Sequence, residues 1–252
     1  MTEPQYVPGH ALLAGKTVVV TAAAGSGIGS AVAQRCIEEG ARVVISDKHE
    51  RRLGETAERL GVTGVPCDVT NEDSVQALFA AASEELGAID VLVNNAGLGG
   101  SAELHEMTDE QWNVVLDVTL NGTMRCTRAA LNHMYANGRG VIVNNASVVG
   151  WRAQAEQAHY AAAKAGLNAL TRAAARDVAR YGIRVNAVAP SLVVHPFLLR
   201  VSSEEVIEAQ RQQEAFKRSA EAWEVANVMV FLASDYASYL TGEVVPVSYM
   251  RP

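Results

Sequence analysis

The chain is poor in cysteine, and what it has is dispersed: Cys36, Cys67 and Cys126 lie far apart with no CxxC pair. That excludes a disulfide framework and reads as free thiols in a reducing compartment, with Cys36 a small core residue on a helix. Basic residues are not in excess. A formal charge of −7 and a pI near 5.4 argue against a nucleic-acid or anionic-membrane partner, since both want a basic face. No apolar run approaches the ~20 residues that a membrane span requires. The opening stretch MTEPQYVPGH has neither the basic nor the apolar region of a secretory signal, so the expectation is a soluble, cytoplasmic protein. Pro/Ser-rich linkers, low-complexity tracts and short repeats are also missing, and a single domain over 1–252 is the economical reading. His10, His49, His105, His133, His159 and His195 show no paired ligand spacing, so no metal is expected.

What is present is apolar residues, 49% of the chain, arranged in a rhythm. A chain of this length buries roughly three-quarters of its unfolded surface. Strand-like runs (KTVVVT, ARVVISD, GVTGVPCDV, IDVLVNNAG, GVIVNNAS, IRVNAVAP) alternate with helical patterns over about 27–39, 49–60, 71–86, 108–136 and 157–181. Each strand is nearly all apolar, as in parallel strands covered on both faces, and the helix-length spacers require βαβ crossovers. The predicted fold class is therefore α/β, a doubly wound parallel sheet flanked by helices. The segment at about 195–219 falls outside this rhythm. It is expected either to cover the binding crevice or to form a surface helical hairpin.

Residues 17–30, TVVVTAAAGSGIGS, pass from extended chain to very small residues and then into a helical pattern. Backbone N–H groups and the positive end of a helix can hold a phosphate only where nothing bulky intervenes, which makes Gly25, Ser26, Gly27, Ile28 and Gly29 candidate ligands of one. Asp47 ends the second strand, 18 residues after Gly29. There it could accept hydrogen bonds from a ribose 2′-hydroxyl and repel a 2′-phosphate, favouring NAD over NADP; alternatively it caps the helix beginning near His49. Lys48 and Arg51 follow closely and would soften the discrimination.

Tyr160 and Lys164 are four apart in HYAAAKAG and share a helix face, and Ser147 follows a strand thirteen residues before Tyr160. A phenol with a pKa of about 10 is a poor acid–base catalyst at neutral pH. An ammonium one turn away is expected to lower it by ~1–3 units, letting Tyr160 exchange a proton with an alcohol or carbonyl oxygen. Ser147 would donate a hydrogen bond to that same oxygen. The bland alternative is a tyrosine packed on a helix with its lysine in solvent.

Together, GSGIG, CDV, NNAG (Asn94–Gly97), Ser147, YAAAK and IRVNAVAP resemble the short-chain dehydrogenases/reductases, from about Leu12 to Val247. The resemblance implies a Rossmann-type subunit, nicotinamide chemistry and frequently a tetramer built partly on the two long helices. It implies that Asp68 and Val69 meet an adenine ring, that Asn95, Ala96 and Gly97 line the adenosine ribose and the cofactor's path, and that Pro190 to Val193 lie beside the nicotinamide. Lys164 would also reach ribose hydroxyls. The sequence is similar to 3-oxoacyl thioester reductases, and TAAAG and TLNG resemble actinobacterial steroid-ring oxidoreductases acting on CoA thioesters. An epimerase of the extended branch would need a longer chain.

Four departures stand out. Ala22 replaces the family's first glycine in a loop one residue longer, and Gly25 is expected to supply the left-handed conformation instead. Thr119 stands at the usual active-site Asn, with Asn121 badly placed to substitute. Ser191 and His195 replace a Gly and a Thr near the carboxamide, and the tail PVSYMRP lacks a Gly-Gly ending. Trp151, Arg152, Phe197 and Leu198 are expected to form a substrate wall for a bulky apolar molecule, with simple packing as the alternative for the last two. The functional expectation is an NAD(H)-dependent oxidoreductase interconverting a secondary alcohol and a ketone; the rival is a non-catalytic dinucleotide sensor of the same fold.

Overall fold

Alternate residues of one strand feed two different cores. Val18 and Val20 point into a layer shared with Val32, Ala33 and Cys36, and with Val225, Ala226 and Met229. Val19, between them, points into the opposite layer with Leu78, Phe79, Cys126 and Met134. This is what period-two side-chain alternation produces when helices cover both faces of a sheet. The computed structural model describes residues 4–152, 154–194, 198–201 and 203–248.

The chain runs β1 (Thr17–Val20), α1 (Ile28–Glu38), β2 (Arg42–Asp47), α2 (Glu50–Leu60), β3 (Thr63–Pro66), α3 (Glu72–Leu86) and β4 (Val91–Asn94). It continues through α4 (Asp109–Leu116), α5 (Gly122–Asn137), β5 (Gly140–Asn145), α6 (Ala158–Val178) and β6 (Ile183–Pro190). Last come α7 (Leu198–Val201), α8 (Glu204–Gln213), α9 (Ala222–Ala233) and β7 (Val244–Val247). The seven strands form one sheet in the order β3-β2-β1-β4-β5-β6-β7, and every adjacent pair is parallel. This is the Rossmann-type architecture. The strand order reverses between β1 and β4, and the carboxyl ends of those strands open the crevice where such folds bind ligands.

Fully buried Phe79, Leu78, Ile45, Leu92, Ile142 and Met229 anchor the two layers. Burial of side chains of this size contributes roughly 1.5–3 kcal/mol each. All three cysteines are free and buried, and Cys36 packs from α1 into the core as expected. Among the described residues no helix is long and apolar enough to cross a membrane.

One helix is irregular. The long helix foreseen over 108–136 is present, with α4 running into α5 through a π-helical turn at Asp117–Asn121. A capping box between Thr108 and Gln111 starts α4, so its beginning is sharp. The extra residue of the π turn turns Thr119 inward, where it is completely buried.

A long-range polar feature lies at the amino-terminal end. Residues 6–12 strap across α1: the Tyr6 hydroxyl donates to Glu38, and the N–H groups of His10 and Leu12 donate to Glu39 Oε2 at 2.8 and 2.9 Å. Arg35 donates to the carbonyls of Val7 and Pro8 and pairs with Glu39 at 3.1 Å. Both charges of that pair are buried.

Candidate functional site

The carboxyl ends of β1, β4 and β5 are stitched together by side chains. Thr21, just past β1, accepts at Oγ1 from the N–H groups of Asn95 (3.0 Å) and Ala96 (3.2 Å). Asn95 donates from Nδ2 to the Ala22 carbonyl, and Asn145 donates from Nδ2 to Asn95 Oδ1, both at 2.9 Å. Below them, Asn94 donates to Thr127 and Asn144, and Asn144 donates to Thr171. Asn94 and Asn144 are buried and Asn95 and Asn145 half-buried, and their bonded amides fix strand ends and helices without leaving those donors unpaired.

The glycine loop occupies residues 21–27 between β1 and α1. Gly25 has φ +90°, but Ala22 is itself left-handed at φ +50°. Gly25 thus supplies the expected positive φ, and Ala22 adopts one as well, with Asn95 on its carbonyl. A Cβ on Gly29 would collide with the Asn95 amide and the Ala22 carbonyl, so this glycine permits the close approach of α1 to the loop. Cβ atoms at Gly25 and Gly27 would meet nothing. Among the described residues, none accepts a hydrogen bond from the N–H of Ser26, Gly27 or Ile28. Free amides around the start of an eleven-residue helix suit an anion such as a pyrophosphate.

Asp47 ends β2 beside this loop, and its carboxylate is tied to backbone N–H groups on both sides. Its Oδ1 accepts from the His49 N–H at 2.9 Å and its Oδ2 from the Ala24 N–H at 3.3 Å. Lys48 pairs with Asp68 at 3.7 Å. Although burial pushes the Asp68 carboxyl up, hydrogen bonds from Thr70 and the Lys48 charge hold it below its ordinary value. Val69 is buried against Gly122. Ala96 is buried; Gly97 presents its open face to Lys164 Nζ, 3.5 Å from where a Cβ would stand.

Ser147, Tyr160 and Lys164 come together. Ser147 is extended and caps a short 3-10 turn, with Oγ accepting from the Val149 N–H at 3.2 Å. Its hydroxyl hydrogen-bonds Tyr160. Lys164 Nζ lies 5.5 Å from the centre of the Tyr160 ring and donates to the Asn145 carbonyl at 2.5 Å. The lysine is buried, so the solvent-lysine alternative fails. The electrostatic expectation is also corrected. Burial pushes the Tyr160 phenol up to about 12, only partly offset by its bond with Ser147, and pushes the Lys164 ammonium down to about 7. Desolvation disfavours both charged forms, so in the free protein burial acts against a phenolate. In the free protein Tyr160 keeps its proton.

Thr119 does not replace an asparagine chemically. Its hydroxyl accepts from the Leu98 N–H at 3.0 Å and donates to the Leu98 carbonyl at 3.3 Å, so its proton is committed. Asn121 turns away and donates to Asp117. Pro190 ends β6 in the core; Ser191 is half-buried, and Val193 buries its side chain and bridges to Ala220. Val193 therefore offers the cleft only backbone. Trp151 is exposed, while Arg152 and Leu198 are half-buried; His195 and Phe197 lie outside the described residues. Sequence reasoning missed Asn145, whose carbonyl receives Lys164, and Thr56 and Arg59 of α2, which touch the glycine loop.

A family model described as Enoyl-(Acyl carrier protein) reductase matches residues 22–249. The chain is 57% identical, over 99% of its length and 98% of the relative's, to (5R,7aS)-5-hydroxy-7a-methyl-1-oxo-2,3,5,6,7,7a-hexahydro-1H-indene-carboxyl-CoA reductase of Mycobacterium tuberculosis. It is 37% identical to the 3-oxoacyl-(acyl-carrier-protein) reductase FabG of Vibrio cholerae, over 94% of this chain and 97% of the relative. A crystal structure of a short chain dehydrogenase from Mycobacterium smegmatis superposes with a TM-score of 0.89 at 53% identity, covering 100% of this chain and 99% of that one. With a Rossmann-type sheet, a glycine loop and a Ser–Tyr–Lys cluster at one crevice, the chain belongs to the short-chain dehydrogenase/reductase family and is an oxidoreductase interconverting ketone and alcohol with a nicotinamide dinucleotide.

Proposed function

We infer that this oxidoreductase uses NAD(H) in preference to NADP(H) and reduces a ring ketone on a bulky, fused-ring carboxyl-CoA thioester of the kind produced in steroid-ring breakdown. The observation that carries the reading is the meeting of Ser147, Tyr160 and Lys164 in a chain that is 57% identical, end to end, to a hexahydroindene-carboxyl-CoA reductase. Asp47 supports NAD, because its fixed carboxylate beside the Ala24 N–H would repel a 2′-phosphate.

Bound dihydronicotinamide supplies the hydride that forms the new C–H bond as the carbonyl π bond breaks. The oxygen then needs one proton. Tyr160 holds that proton in the free protein and is bonded to Ser147, so both hydroxyls converge on one acceptor position. Tyr160 donates the proton and Ser147 a stabilising hydrogen bond as charge develops on oxygen. Lys164, with its pKa near neutrality, can return a proton to the phenolate formed. The segment at 195–219, of which α8 is part, would cover the substrate in a one-domain subunit. The exposed strip of α5 and α6 around Leu131, Tyr135 and Leu170 is assigned to a second copy of the chain in a homo-oligomer, with a tetramer favoured.

The test is a substrate screen monitored by NADH absorbance, with hydroxyacyl-CoA, hydroxysteroid, fused-ring carboxyl-CoA and simple secondary-alcohol substrates. A kcat/KM for the fused-ring thioester at least ten-fold above the simple alcohol is the expected result. Preference for the simple alcohol would overturn the substrate assignment.

A further inference from the structure

The glycine loop is held from a direction that the phosphate reading does not require. Helix α2 follows β2, yet two of its side chains reach back to the loop after β1. Thr56 is buried, donates its hydroxyl proton to the Arg52 carbonyl one turn back (2.8 Å) and accepts the Gly25 N–H at 2.9 Å. Arg59, one turn further along the same helix, donates from Nη2 to the buried Ser30 hydroxyl at 2.7 Å and to the Gly25 carbonyl at 3.4 Å. Both polar groups of the Gly25 peptide backbone are therefore held by α2. Asp47 takes the preceding N–H, that of Ala24.

This matters because the loop carries two left-handed residues, Ala22 and Gly25, three apart. A non-glycine residue in that region is strained, and glycine adds entropy to the unheld loop. Left alone, such a loop samples other conformations, and its amides stop converging. With Gly25 held on both sides, the next three N–H groups, of Ser26, Gly27 and Ile28, stay open and aligned.

We propose that Thr56 and Arg59 are positioning residues for dinucleotide binding: they clamp Gly25 so that the following amides are pre-arranged for the pyrophosphate. The role rests on the cofactor reading above. Neither side chain is assigned a contact with substrate or reacting atoms. Removing the clamp therefore weakens cofactor binding by adding the ordering of the loop to the binding event, and leaves the chemical step alone.

The full-length chain carrying Arg59→Gln or Thr56→Val, with Thr56→Ser as the conservative variant, is titrated with NADH by fluorescence. Hydrogen exchange is followed in the 21–31 segment of the same proteins without ligand. The expected result is an NADH Kd raised about ten-fold in Arg59→Gln and Thr56→Val, near-normal binding in Thr56→Ser, faster exchange in 21–31, and kcat at saturating NADH within two-fold of wild type. A Kd within three-fold of wild type in Arg59→Gln, an exposed position that folding tolerates, overturns the clamp whatever Thr56→Val does. Slower turnover at saturating NADH with unchanged Kd overturns it too. A wild-type protein that binds neither NADH nor NADPH overturns the cofactor reading itself, and the clamp with it.

Discussion

Lys164 gives its amine to the backbone carbonyl of Asn145 at 2.5 Å, and Asn145 in turn gives its side-chain amide to Asn95. Asn95 completes the series on the Ala22 carbonyl. One run of hydrogen bonds thus ties the Ser147, Tyr160 and Lys164 cluster to the glycine loop across β5, β4 and β1. The lysine is neutral-leaning because it is buried, and that has a thermodynamic signature.

The folded-state pKa of Lys164 is depressed to about 7, against about 10.4 for an unfolded lysine. Between those values the unfolded chain binds a proton that the folded one does not, so this residue makes stability rise with pH over that window. Below about 7 the penalty is fully present; above about 10.4 it is gone. Lys164→Met removes the titration. Relative to wild type, the variant gains about 1.4 kcal/mol for each pH unit descended from 10 to 7. Urea unfolding at several pH values checks it; a pH-independent difference between the two proteins would contradict the assignment.

Glu39 and Arg35 make a different kind of buried pair. Glu39 answers the Arg35 guanidinium and two N–H groups of the amino-terminal strap. Glu39→Ala leaves a buried cation uncompensated, and a loss of about 3–5 kcal/mol in unfolding free energy is expected. NADH affinity of the native fraction stays unchanged. A loss under about 1 kcal/mol by urea titration would contradict a stabilising role for Glu39.

For Asp47, replacement by alanine removes the carboxylate proposed to face the ribose while leaving Lys48 and Arg51 in place. The ratio of kcat/KM for NADH over NADPH is expected to fall at least ten-fold. It should fall because NADPH improves as well as because NADH worsens, since repulsion of a phosphate is lifted. An unchanged ratio, or a wild type that already prefers NADPH, contradicts the role.

The strands and most helices were legible because continuous apolar runs separated by helical periods admit little besides a doubly wound parallel sheet. Ser147, Tyr160 and Lys164 could be found because a four-residue spacing on a helix and a strand end bring them to the same crevice. The π turn at Asp117–Asn121 was not legible: a single inserted residue barely disturbs a 3.6-residue period over 29 positions, yet it turns Thr119 inward. The positive φ of Gly25 was legible, but that Ala22 also takes one, with Asn95 on its carbonyl, depends on a contact 73 residues away. The direction of the Tyr160 shift was not legible, because charge spacing can be read along a sequence and desolvation cannot. Asn145, Thr56 and Arg59 act through long-range contacts 19 to 34 residues away, and no local pattern marks them.

Proton donation by Tyr160 is the central claim, and Tyr160→Phe tests it with two readings on one protein. NADH binding by fluorescence should stay within about two-fold of wild type, while single-turnover reduction of a ketone substrate should slow by about 10²–10⁴-fold. A variant that binds NADH normally and still turns over at a rate close to wild type would contradict the account.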